Sequence, residues 1–262
     1  MSDMTYVVAD DVATITLNRP ERMNTISSAM LDELTRTLVR ANEDRDVRVV
    51  VLTGTGRAFC AGLDLNEAVS GGGIGGKDRR PPETIDLRNT PPTVLFAMDK
   101  PVICALNGSA AGYGMDLALG CDIRIMADNA KLAAAFVKRG VVPESGGTWF
   151  LPRMLGWAKA AEIIFTGRTL SAAECLAERL VNQVVPAETV AATAQAMARE
   201  IAANAPMAVR ASKRLMRMGL EETFETHVQH VYLQLLPLFA SDDFKEGVTS
   251  FLEKRPAAFT GR

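Results

Sequence analysis

PVICALNGSAAGYGMDLALGCDIRIMA, residues 101–127, decides the fold. PVICALNG (101–108) opens with an unbroken apolar run, the pattern of a strand covered on both faces, and CDIRIMA (121–127) reads as the next strand. Between them, the small residues 108–112 lead into GYGMDLALG (112–120), which starts a helix. Strand, loop, helix, strand is the repeating unit of a parallel sheet. Upstream, RVVVLTG (48–54) is another continuous run, preceded by SSAMLDELTRTLVRANED (27–44), where Leu31, Leu34 and Leu38 recur at helical spacing behind an N-cap at Ser27 or Ser28. Residues 5–17 read as a hairpin turning at Asp10 and Asp11, and NRPERMN (18–24) as a loop. Downstream, SAAECLAERL (171–180) opens with Ser171 and Glu174 in capping-box spacing. From Glu188 onward the pattern is helical, through ETVAATAQAMAREIAANA, MAVRASKRLMRMGL and a helix ending at LLPLFA. The fold class is therefore α/β, with a core over 1–200 and a helical appendage over 201–262.

Composition removes several function classes. A chain of 262 residues, 48% hydrophobic and 23% charged, is a globular protein near the upper size of one domain. The net charge of -2, without any large Lys/Arg cluster, argues against nucleic acid as a partner. No apolar run approaches the roughly 20 residues that span a bilayer, and the acidic start MSDMTYVVADD is unlike a secretory signal, so no membrane role is expected. Cys60, Cys104, Cys121 and Cys175 form no CxxC, which suits reduced thiols and a cytoplasmic location, and no metal site is expected. His227 and His230 stand alone in a late helix, which speaks against a histidine base or triad. The glycine-rich run SGGGIGGKDRRPPE (70–83) lacks the GxxxxGK[ST] spacing of a nucleotide loop and reads instead as a lid or a wall of an acyl pocket.

Three segments carry chemistry: GRAFCAGLDL (56–65), ALNGSAAGYGMDLALGCDIRI (105–125) and VKRGVVPESGGTWFLPRMLG (137–156). Small residues let backbone approach a ligand, and N–H groups at a helix start have no intrahelical partner, so they suit an oxyanion. In this order the segments resemble the crotonase (enoyl-CoA hydratase/isomerase) family, and the likeness runs from about Val12 to Phe259. AFCAGLDL is similar to the family's first oxyanion-hole and CoA loop, NGSAAGYGMDLALGCD to the second, NRPERMN to the segment lining the CoA channel, and FLEKRPAAF (251–259) to the tail that closes over CoA. The resemblance implies a crotonase-like ββα spiral core, a C-terminal helical trimerisation region, and a homotrimer or homohexamer. It also implies an acyl-CoA thioester substrate, with coenzyme A entering as part of that substrate and no permanently bound cofactor.

Residue by residue, the resemblance assigns the oxyanion donors to the backbone N–H groups of Leu63 and Tyr113. It assigns CoA contacts to Arg22, Met23, Ala61, Asp64 and Leu65, and tail contacts to Lys254 and Phe259, from the same or a neighbouring subunit. Hydratases of this family use two glutamates. Here the first position holds Asp116 and the second Phe136, whose ring can neither orient water nor exchange a proton, so the usual pair is broken. Glu144 stands where family isomerases that shift a double bond carry Glu or Asp, and VPESGGTWFLPR (142–153) is like such an isomerase. Glu144 as a single proton shuttle in an apolar pocket needs no second acid. An enoyl-CoA hydratase using Asp116 with Glu144 stands as the alternative, and a silent acyl-CoA binder as the remote one. Both carboxylates also have plain structural readings, Glu144 as a turn cap and Asp116 as a helix cap or first-turn dipole partner.

Overall fold

Asp10 and Asp11 are both left-handed (φ 51° and 61°) and turn β1 (Met4–Ala9) back against β2 (Val12–Leu17) as an antiparallel hairpin. The computed structural model describes residues 2–70 and 90–262. After β2 comes α1 (Ser28–Glu43), capped by Ser27, whose Oγ accepts the Met30 N–H at 3.2 Å. Next are β3 (Val49–Gly54), β4 (Ala58–Cys60), α2 (Leu65–Ser70) and α3 (Pro91–Ala97). The strand–strand–helix unit then repeats with β5 (Val102–Leu106), β6 (Ser109–Ala111) and α4 (Tyr113–Leu119), followed by β7 (Ile123–Ala127) and β8 (Lys131–Ala133). α5 (Gly147–Leu155), α6 (Trp157–Thr166), β9 (Thr169–Ser171), α7 (Ala172–Ala177) and β10 (Gln183–Val185) complete the sheets. Ser171 and Glu174 form the capping box at the head of α7. The chain ends with α8 (Val190–Ala202), α9 (Pro206–Met218), α10 (Phe224–Phe239) and α11 (Asp242–Glu253).

Six strands form one sheet in the order β1-β2-β3-β5-β7-β10, and four form the other in the order β4-β6-β8-β9. Each turn of chain gives one strand to each sheet: β3 then β4, β5 then β6, β7 then β8. Apart from the β1–β2 and β8–β9 pairs the ladders are parallel. This is the expected ββα spiral. The continuous apolar runs have the predicted fate, since Val49–Leu52 and Val102–Leu106 are buried throughout. α8 packs across β3 and β5 with Ala194 and Ala198 inward, small side chains that let helix and sheet approach closely.

α9 is tied to the core by ions: Arg214 and Arg217 hold Asp99, and Lys213 holds Asp122 at 2.7 Å. α10 buries none of its residues within the chain. The segment read as a closing tail needs correction, because Phe251–Glu253 are the last turn of α11 and the tail starts at the left-handed Lys254 (φ 56°). Among the described residues no helix is long and apolar enough to cross a membrane. From residue 71 on, the glycine-rich run lies outside the described residues.

Candidate active site

Two loops meet where the sheets part. The first, residues 61–64, leaves β4 and runs beside residues 23–26. Ala61 N–H donates to the Met23 carbonyl (3.0 Å), Ile26 N–H to Gly62 (2.9 Å), and Asp64 N–H to Ile26 (2.9 Å). The second enters α4 through Gly112, whose N–H donates to the Ala133 carbonyl at 3.0 Å. α4 sits directly on β4: a Cβ at Gly114 would lie 2.2 Å from the Cys60 carbonyl oxygen, so only glycine permits the contact. A Cβ at Gly62 (φ +104°) would come within 3.0 Å of the Ala111 carbonyl and 3.7 Å of the Tyr113 nitrogen, so the loops touch. Within this contact neither the Leu63 nor the Tyr113 N–H is spent on another described residue.

Met23 and Asn24 are consecutive left-handed residues (φ 52° and 54°), a strained turn held by one side chain. The buried Asn24 accepts the Arg19 N–H at 2.8 Å and donates to the carbonyls of Thr55 (2.9 Å) and Ala58 (2.8 Å). Sequence reading passed over Asn24; its only signal was a polar residue closing NRPERMN. Asp64 is buried between Arg19 (3.1 Å) and Arg22 (3.0 Å). Burial pushes its carboxyl up, but hydrogen bonds from Arg22 and Arg19 outweigh this and hold it below the ordinary value. Arg22 is thus anchored at one nitrogen while half of its side chain faces solvent, and Met23 and Leu65 are exposed beside it.

On α4, Asp116 is only 1% exposed and accepts the Ser145 N–H at 3.2 Å. The helix cap is Gly112, so Asp116 is not a cap. Burial raises its carboxyl to about 7, against the pull of the Gly147 and Ser145 N–H groups, and the charge of Glu144 adds to the rise. Asp116 Oδ1 and Ser145 Oγ are buried without a well-formed hydrogen bond among the described residues, Oδ1 lying close against Gly147 and Ser145 beside the Tyr113 phenol. The Tyr113 phenol lies beside both carboxylates and is pushed up by burial, then by Cys60, Glu144 and Asp116. Phe136 is buried, its ring 3.9 Å from where a Cβ on Gly112 would stand. Burial lifts the neighbouring Cys60 thiol to about 12, so it supplies no thiolate.

Glu144 sits on the loop before α5, and that helix is capped by Gly146. Apart from its own backbone N–H, within the turn that precedes α5, its carboxylate has no hydrogen-bond partner among the described residues. It opens into a cavity of about 340 Å³ lined by Phe96, Ser145, Trp149, Phe150 and Glu221 among others. Water reaches it, yet the surrounding walls desolvate it enough to raise its carboxyl above the ordinary value. A larger hollow of about 570 Å³ lies along the outer side of α1 and holds none of the residues singled out above.

Phe259 is not part of this assembly within one chain, and Lys254 caps the end of α11. The Phe259 carbonyl accepts from Arg48 at 2.8 Å, just before β3 begins and so at the opposite end of that strand from the 61–64 loop.

The sequence model of the Enoyl-CoA hydratase/isomerase family matches residues 8–262. The chain belongs to that family. Its relatives within the enoyl-CoA hydratase/isomerase family include both activities. It is 40% identical to a 1,2-epoxyphenylacetyl-CoA isomerase from Escherichia coli (strain K12), over 97% of each chain. It is 36% identical to an (E)-benzylidenesuccinyl-CoA hydratase from Thauera aromatica, covering 98% of this chain and 99% of that protein. The fold superposes on the crystal structure of an enoyl-CoA hydratase from Bacillus anthracis with a TM-score of 0.90, at 35% identity over the full length of both. As a member of this family the chain is an enzyme of enoyl-CoA hydratase or isomerase type.

Proposed function

We propose that this enzyme moves a double bond along an enoyl-CoA thioester, with Glu144 as the single proton shuttle. The observation that carries the proposal is the Glu144 carboxylate itself: open to a largely apolar cavity, raised by desolvation, and bonded to no other residue. In a 3-enoyl thioester, Glu144 takes the proton from the carbon next to the thioester. The electron pair spreads over that carbon, the former double bond and the thioester oxygen. The N–H groups of Leu63 and Tyr113 receive the oxygen's charge, an arrangement worth about 3–4 kcal/mol per donor in measured oxyanion holes. Glu144 then returns the proton to the far carbon, leaving the 2-enoyl isomer with no water consumed. Asp116 holds Ser145, the residue after the shuttle, and so positions it.

Arg22, set by Asp64, with Met23, Ala61 and Leu65 beside it, lines the route for coenzyme A, which arrives as part of the substrate. The helices after residue 200 serve assembly into a homotrimer or homohexamer, in which Lys254 and Phe259 reach the CoA of a neighbouring copy. The buried, unpaired thiols suit a reducing cytoplasm.

One observation favours a second reading. The Asp116 carboxyl titrates near neutrality and feels the charge of Glu144, the kind of pair that holds a water between them for hydration. The test is turnover of matched 3-enoyl- and 2-enoyl-CoA thioesters, with migration and water addition followed separately. Fast migration with slow hydration is expected, because Phe136 fills the place of the second glutamate. Fast hydration with no migration would transfer the assignment to the Asp116–Glu144 pair.

A further inference from the structure

The cavity beside Glu144 is walled by rings in a defined arrangement. Phe96 from α3 meets Trp149 from α5 edge to face, with centroids 5.1 Å apart and planes at 74°. Trp149 meets Phe150 at 5.1 Å and 87°, and Phe150 meets Phe96 at 6.4 Å and 63°. Three mutually tilted rings form a corner that offers both faces and edges, which is the geometry an incoming ring can match. The corner is also held in place. The Arg153 guanidinium stacks 4.0 Å from the Trp149 centroid and donates to its carbonyl at 3.2 Å. Arg217 lies over Phe96 at 5.8 Å, donates to the Phe96 carbonyl at 2.9 Å, and is fixed by Asp99 at 3.2 Å. Gly146 (φ +107°) lies beneath the Phe150 ring, where a Cβ would come within 2.8 Å of Cε2. Trp149 and Phe150 follow Glu144 on the same stretch of chain, which ties two of the three rings closely to the base.

We infer that the acyl group this site selects ends in a flat six-membered ring, aromatic or partly unsaturated, and that Phe96, Trp149 and Phe150 determine that specificity. The inference rests on the cavity beside Glu144 being the acyl pocket, as proposed above. A straight alkyl chain gains burial against any apolar wall and has no use for a fixed corner of rings. Glu221 shares the lining, so a chain that filled the cavity would also cover a carboxylate at a desolvation cost, whereas a ring stacked on the three aromatics need not.

The test compares 5-phenylpent-3-enoyl-CoA with undec-3-enoyl-CoA, which match in carbon number and in the reacting double bond. Alongside kcat/KM for both, calorimetry gives the Kd of the saturated 5-phenylpentanoyl- and undecanoyl-CoA, which cannot react. The phenyl compound is expected to be favoured about tenfold in each readout, the scale of one good aromatic contact. In Trp149→Leu, and independently in Phe96→Leu, that ratio should collapse toward one; being a ratio within one variant, it is insensitive to a general loss of activity. If neither thioester is isomerised but the phenyl preference in binding is present and is lost in Trp149→Leu, the ring corner stands and the double-bond reading falls. Equal kcat/KM and equal Kd for the two acyl groups, or a preference that survives both substitutions, would overturn the ring corner.

Discussion

Asp116 shows how much a single burial changes a carboxyl. Its neighbours offer only the N–H groups of Gly147 and Ser145, so desolvation dominates and the proton is retained to about pH 7. The sign for stability follows from that direction. In the unfolded chain Asp116 ionises near its ordinary value of 3.8, whereas the folded protein keeps the proton until about 7. The fold is therefore favoured below the first value, and the benefit is lost as pH rises through the second. Asp116→Asn removes this titration. Between pH 5 and pH 8 the wild type should lose about 3 kcal/mol more unfolding free energy than the variant, measured by denaturant titration at both pH values. An identical pH slope in both proteins would mean that Asp116 is ionised in the fold. At this scale the sequence offered Asp116 and Glu144 as candidates but not their states. Asp116 and Glu144 were legible as residues in motifs, whereas the grip of Asp116 on Ser145 depends on the contact of α4 with the loop before α5.

The elements that sequence reading placed with ease are those with a long, one-signed pattern. β3 and β5 open as continuous apolar runs, α1 repeats leucines behind a serine cap, and α7 opens on its capping box. The second sheet was not legible. β4, β6, β8 and β9 are three residues each, too short to show a period, and their pairing joins distant parts of the chain. AFCAGLDL read as a loop, although Ala58–Cys60 is a strand and its contact with Gly114 seats α4. The ring corner was hidden for the same reason, because α3 and α5 bring Phe96 to Trp149 and Phe150 only in three dimensions.

For the whole molecule the open question is what covers the C-terminal helices. Phe224, Tyr232, Leu233 and Leu236 of α10 and Phe251 and Leu252 of α11 are all exposed, with Phe251 at 81%. So many exposed large apolar side chains are uncommon on a monomer, and the proposed assembly of copies would cover them. Light scattering at micromolar concentration should therefore give the mass of a trimer or hexamer. The paired change Leu233→Glu and Leu236→Glu should shift that mass downward, since it would bury charge in the contact. A wild-type monomer under those conditions would contradict the assembly, and with it a place for Lys254 and Phe259 over a neighbour's substrate.

The central claim is that one carboxylate carries the proton in both directions, and Glu144→Gln tests it most directly. Glutamine keeps the size and the polarity of the side chain but cannot accept the proton. The rate of double-bond migration in a 3-enoyl-CoA should fall by roughly 10²–10⁴-fold, while the Kd for a saturated acyl-CoA, measured by calorimetry on the same preparation, stays close to the wild-type value. Migration at an undiminished rate in Glu144→Gln, with binding intact, would contradict the account.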